Sequence, residues 1–152
     1  MAIVTKEQIL AQLSELVRKE HLGEKLLERA SRAALDPREV AHLWNLSTEC
    51  RDHARILNRH RRDADRQAPE IPYPGWPRGQ GPEPGDALDL AHDVFLDLAG
   101  DYRSTVGMAD DPYLRKYLAI LGDEHDRLAL QLKGMSEGLP FFEDFSEEET
   151  EE

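Results

Sequence analysis

The chain is poor in several of the features that small domains are often built on. It has one cysteine, Cys50, in 152 residues. That excludes an intramolecular disulfide and a cysteine-rich zinc module, and it makes a reducing, cytoplasmic setting the expected one. No apolar run approaches the ~20 residues of a membrane span. The N-terminus MAIVTKEQIL has no basic stretch followed by a long apolar one, so neither a membrane anchor nor a signal peptide is expected. Aromatic residues make up only 7%. There is no Gly-rich phosphate loop and no nucleophile elbow. Glycine and proline are scarce over long stretches, because six of the nine prolines and four of the ten glycines fall within residues 69–85. High charge, at 33% of residues, together with few aromatics and long runs free of Gly and Pro, points to helices.

Charge of one sign dominates at one place only. The net charge is −12, from 19 basic and 31 acidic residues. Seven of the acids lie in the last ten residues (Glu143, Asp144, Glu147, Glu148, Glu149, Glu151 and Glu152). Without them the balance is a mild 24 acidic against 19 basic. A protein that coats nucleic acid is disfavoured. With 39% hydrophobic residues, the length suits one domain with one core.

Four helical stretches are predicted. Thr5-Lys6-Glu7-Gln8 has the form of a capping box. From there Ile9, Leu13, Leu16, Gly23, Leu27, Ala30 and Ala34 recur in steps of three and four, the seam of a helix over about residues 5–34, interrupted by one charged position, Glu20. Asp36-Pro37 starts a second helix whose seam reads Val40, Leu43, Ser47, Cys50, Ala54 and Leu57, with His53 bordering it. Asp86 is the expected cap of the third helix, with Leu88, Ala91, Phe95, Leu98, Tyr102 and Thr105 on its seam. Asp111-Pro112 starts the fourth, with Leu114, Leu118, Leu121, His125, Leu128, Leu132 and Met135. Gly138 and Pro140 stop it. The chain reads as two copies of one unit, each a helix, an Asp-Pro turn and a second helix. Aligning His53 on His125 pairs Asp52 with Glu124 and Arg55 with Arg127.

The segment between the halves is long enough to matter. A first helix of that length spans about 45 Å, and seventeen residues of extended Pro-rich chain reach about 50 Å. An up-down-up-down bundle needs only a short turn there, so the predicted fold is an all-α four-helix bundle with one long crossover at 69–85. Tyr73 and Trp76 are its expected anchors, although Pro69–Pro72 and Pro74–Pro77 also have the form read by proline-binding domains.

Four polar residues, Glu20, Cys50, His53 and His125, fall near the middles of their helices and face inward or nearly so. Buried ionisable groups are costly unless paired or bound to a metal. Carboxylate and imidazole from facing helices are how bundles hold iron or manganese. The other histidines, His21, His42, His60 and His92, are expected at the surface or in packing roles. The arginines Arg51, Arg55, Arg59, Arg61, Arg62 and Arg66 are expected to form a solvated face at a helix C-terminus, where positive charge is favoured.

In this layout, in the Asp-Pro turns, in Tyr102 and in the histidine segments LSTECRDHARIL (46–57) and LDLAHDVFLDLAGDYRSTVGMADDPYLRKYLAILGDEHDRLALQL (88–132), the chain resembles the rubrerythrin-like branch of the ferritin-like superfamily. The resemblance implies a ferritin-like bundle and a di-iron site, with a Glu on the first helix, Glu-x-x-His on the second, a Glu on the third and Glu-x-x-His on the fourth. Glu20, His53 and His125 match. Cys50, Phe95 and Gly122 stand where three carboxylates are expected. The resemblance therefore implies an altered metal site of Glu20, Cys50, His53 and His125, holding one ion at most, iron or another divalent metal. Iron handling or peroxide and oxygen chemistry is the implied role, and a homodimer the implied assembly. The alternative is a metal-free bundle that serves as an interaction scaffold.

The bundle is expected to occupy residues 1–140, followed by a tail, 141–152. In that tail Phe141, Phe142 and Phe145 are too apolar for a purely solvating segment, whereas Glu147–Glu152 is the kind of run that stays loose. The aromatics are expected to dock on the bundle or on a second copy. The competing expectation is a docking peptide for a different protein.

Overall fold

The computed structural model describes residues 4–72, 76 and 81–138. Among them are four helices and no strand: α1 (Lys6–Ser31), α2 (Pro37–Ala64), α3 (Pro84–Val106) and α4 (Pro112–Ser136). Tyr73 and the tail at 141–152 lie outside the described residues. No described helix is long and apolar enough to cross a membrane.

Three of the helix starts are those the sequence predicts. The Thr5 hydroxyl accepts from the Gln8 amide at 3.1 Å, and the Gln8 side chain accepts from the Thr5 amide at 2.8 Å. Two of the amides that a helix N-terminus leaves unpaired are thus satisfied. Asp36 and Asp111 each accept from the amide two residues on, at 2.9 Å, with proline at the first helical position. The third start differs from the prediction. Pro84 is already helical, and Glu83 caps through its backbone, without a side-chain bond. Its carbonyl accepts from Asp86 and Ala87. Proline's fixed φ suits the first turn, and its missing N–H would be unpaired there anyway, so the helix begins two residues before the aspartate. Gly138, at φ 77, closes α4 in the left-handed region open to glycine.

Cross-helix contacts fix the directions. Ser14 meets Arg61 and Glu24 meets Arg51, so α2 runs against α1. Lys19 meets Asp101 and Gly23 meets Phe95, so α3 also runs against α1. Arg103 meets Asp123 and Asp126 while Asp89 meets Ser136, so α4 runs against α3 and along α1. Helices α2 and α3 therefore run the same way, and the end of one and the start of the other lie at opposite ends of the bundle. Described residues of the connection follow α1 in between. The Ile71 carbonyl lies 3.3 Å from His21 Nε2, Trp76 lies under Lys25, and Gly81 lies against the Arg29 guanidinium. Arg61 anchors the beginning of this strap. It is buried, and it donates to Ser14 Oγ, Asn58 Oδ1 and the Pro69 carbonyl at 2.7–2.9 Å. This corrects the reading of the six arginines as one solvated face, since a buried fork of donors with three acceptors is an internal clamp.

The core is leucine and alanine at the predicted seam positions, with Phe95 and Tyr102 its largest members. Phe95 has room because of what faces it. A Cβ on Gly23 would lie 2.9 Å from the Phe95 ring and 3.6 Å from Cys50 Sγ. Alanine there gains up to about 1 kcal/mol of helix propensity but overpacks a filled core, which costs about 1–3 kcal/mol. Gly134, also inside a helix, has nothing within 4 Å of its would-be Cβ. Gly23→Ala is therefore expected to destabilise and Gly134→Ala to stabilise by up to about 1 kcal/mol, read as opposite shifts of the urea midpoint.

Candidate metal centre

Glu20 lies halfway along α1 on its buried seam, with 0% of its surface exposed. An ionised carboxylate in such a place must be compensated. Each neighbouring helix supplies one partner. From α3, the Tyr102 hydroxyl donates to Glu20 Oε2. From α4, His125 Nε2 lies 3.2 Å from Oε1 and 3.1 Å from Oε2. From α2, His53 Nδ1 lies 3.2 Å from Oε2. His125 is fully buried, and the His53 side chain is 12% exposed.

The protons are the informative part. His125 Nδ1 lies 2.7 Å from the Leu121 carbonyl. A carbonyl only accepts, so Nδ1 carries the hydrogen and Nε2 is the nitrogen turned to Glu20. In a neutral ring that atom is a lone pair facing a carboxylate. His53 Nδ1 is also buried, and Glu20 Oε2, at 3.2 Å, is the polar group nearest it in the cluster. Two conditions relieve this arrangement: a proton on His125, or a cation shared by the three side chains. In the protein without a cation, burial pulls His125 towards the neutral form, but the Glu20 charge and hydrogen bond raise its pKa above the ordinary value. For Glu20 burial is the largest single influence and acts upward, yet His125 and His53 together hold the carboxyl below the usual range.

The donor atoms of Glu20, His53 and His125 all lie within 4.8 Å of one another. Bonds of ~2.0–2.2 Å to one tetrahedral ion place neighbouring ligand atoms about 3.4 Å apart, close to the 3.1–3.2 Å measured between Glu20 and the two rings. The Leu121 carbonyl behind His125 is the kind of outer partner that fixes the tautomer of a ligating histidine. The three side chains could together hold a metal ion.

The other sequence candidates divide. Cys50 is buried one turn before His53 but stays outside this group, beside Gly23 and Phe95. Its thiol is kept protonated, first by burial and then by the Glu20 charge, which push its pKa well above the ordinary value. Phe95 meets the His125 ring edge-on at 5.3 Å between centroids, placing hydrocarbon against the site. Gly122 faces α3 instead, its would-be Cβ 3.3–3.6 Å from Ala99, Tyr102 and Arg103. Glu49 is exposed and Glu124 half-buried, both outside the group. His21, His42, His60 and His92 are likewise outside it. Sequence reasoning gave Tyr102 no role at the site, although its seam position and the buried carboxylate together were the available signal. It also missed Glu24, a second buried carboxylate one turn beyond Glu20. Arg51 Nε holds Glu24 at 2.7 Å.

No family model, curated protein or solved structure matches the chain.

The two shifts define a pH window for the metal-free protein. Glu20 has a depressed folded pKa, so its contribution is present above its ordinary 4.5 and is lost as pH falls through the folded value. His125 has a raised one, so its contribution is complete below its ordinary 6.5 and is lost as pH rises through the folded value. Chelator-treated protein is expected to be most stable between these limits and to weaken at alkaline pH. Glu20→Gln should flatten the alkaline side of the profile in urea unfolding.

Proposed function

We propose that the bundle is a metal-binding protein of rubrerythrin-like, ferritin-like layout, holding one divalent ion at Glu20, His53 and His125. The observation that carries this reading is the tautomer of His125. With Nδ1–H committed to Leu121, His125 Nε2, the buried His53 Nδ1 and the Glu20 carboxylate come together within 4.8 Å. The helix directions support the layout, since parallel α2 and α3 require a connection that runs the length of the bundle. Two nitrogens and one carboxylate suit iron, zinc, cobalt or manganese. By the resemblance we take iron as the physiological ion and iron handling or peroxide and oxygen chemistry as the role.

A metal held by three side chains would keep positions open for a small oxygen ligand and supply Lewis acidity or a change of oxidation state. The protein's own part is positional. Tyr102 orients the carboxylate by donating to Oε2, and the Leu121 carbonyl fixes the His125 ring. Phe95 occupies the place of a further carboxylate and limits the site to one ion. A homodimer belongs to the same reading.

A second reading has an observation of its own. Tyr102 and a protonated His125 satisfy Glu20 without any metal, as a metal-free scaffold would require. Metal analysis of untagged protein purified without chelator separates the two. The first reading expects about one transition metal per chain, with stoichiometric binding lost in Glu20→Gln while helix content is kept. Protein that holds no metal and takes up neither Fe(II) nor Zn(II) would leave the scaffold standing. Two irons per chain would contradict the role given to Phe95.

A further inference from the structure

The last two turns of α1 and the start of α2 form a second site, unrelated to the metal centre. A pocket of about 270 Å³ is lined by Lys25, Glu28, Arg29, Arg32, Trp44 and Trp76, with Ser31 at its edge. Three cations face one carboxylate there. The pocket contains both tryptophans of the chain. Lys25 Nζ lies 4.7 Å from the Trp76 ring centre, and the Arg29 guanidinium 6.0 Å from it. The Arg29 Nε is buried and makes no hydrogen bond. Trp44 keeps 46% of its surface exposed, an unusual cost for an indole on a charged helix. Among the described residues the pocket is thus basic, aromatic and incompletely covered.

The sequence contains a segment with the opposite charge and the same aromatic character. Residues 140–152, PFFEDFSEEETEE, carry three phenylalanines and seven acids. Its point of departure is fixed by the fold. Helix α4 runs along α1, and His42 of α2 lies 3.1 Å from Gln131, while Ser136 bonds Asp89 of α3. The chain therefore leaves α4 at the end of the bundle where Lys25–Arg32 and Trp44 lie. Thirteen extended residues reach about 43 Å at ~3.3 Å each, and the bundle is about two helix diameters, ~20 Å, across.

We infer that the C-terminal segment covers this pocket of its own chain, the phenylalanines against Trp44 and Trp76 and the acidic residues against Lys25, Arg29 and Arg32. Aromatic contact supplies the burial, and charge selects the register. The face that a basic, indole-lined pocket would offer to other acidic ligands is thereby occupied.

Because both tryptophans line the pocket, intrinsic fluorescence reads it directly. In the intact chain the emission should be blue-shifted and weakly quenched by acrylamide. Truncation after Leu139 should shift it to the red and raise the quenching, and a synthetic 140–152 peptide should reverse both. Full-length Phe141→Ser/Phe142→Ser/Phe145→Ser should reproduce the truncation, with circular dichroism confirming unchanged helix content. Arg32→Glu, at an exposed position, should weaken rebinding of the peptide to truncated protein about fivefold, the size expected when an exposed ion pair becomes a repulsion. Identical spectra and quenching for intact, truncated and triple-variant chains would overturn the proposal. Protection that disappears on dilution to monomer would also overturn it, by placing the segment on a second copy.

Discussion

The negative charge of Glu20, sealed in the middle of a leucine core, is the constraint on which the centre of the molecule depends. Its removal from water is tolerable only because three other helices each bring it a partner: Tyr102, His53 and His125. That demand fixes the register of all four helices in one layer. It also acts, together with burial, on the ionisable groups that touch it. The carboxylate lies below its ordinary range, and His125 above its own. Burial and the same carboxylate push Tyr102 and Cys50 well up. A cation at the site and a proton on His125 answer the same electrostatic need, so the two compete.

The asymmetry of the two halves follows from packing around this layer. His53 and His125 occupy equivalent places in their hairpins, and their rings come within 5.3 Å of one another. On the first helix of each half the equivalence breaks. Glu20 supplies the charge from α1, whereas the third helix offers Phe95, whose ring lies over Gly23 and against His125. A small residue on one helix and a large one on its neighbour fill the volume with hydrocarbon. Gly122 serves a different contact, letting α4 approach Ala99 and Tyr102. Phe95 and Gly122 thus have packing roles of their own.

Much of this was legible in the sequence because it is written in short-range chemistry. Thr5, Asp36 and Asp111 announce helix starts through hydroxyl or carboxylate groups that reach only two or three residues. The steps of three and four name the buried faces, and Glu20 and His125 were found because they break an apolar seam. What escaped depends on partners far away in the chain. That Arg61 would be buried followed from Ser14, 47 residues earlier, and from the Pro69 carbonyl. Glu24 on α1 finds its partner, Arg51, 27 residues later on α2. Cys50 shares a helix face with His53 and its thiol interacts with Glu20, but it is not one of the three residues whose donor atoms converge. The third helix begins at Pro84 and not at Asp86, since a backbone cap leaves no side-chain signature.

The central claim is that two imidazoles and one carboxylate converge to share one ion, and imidazole nitrogen resonances test it directly. Long-range proton–nitrogen NMR spectra of chelator-treated protein, recorded before and during titration with Zn(II), report the protonation and metallation of each ring nitrogen. The account predicts a proton on His125 Nδ1 throughout. Saturation at one zinc per chain should shift His125 Nε2 and His53 Nδ1 together, with no comparable change at His21, His42, His60 or His92. If the zinc leaves both ring nitrogens unchanged, or moves only the other histidines, Glu20, His53 and His125 are a buried charge network and not a metal site.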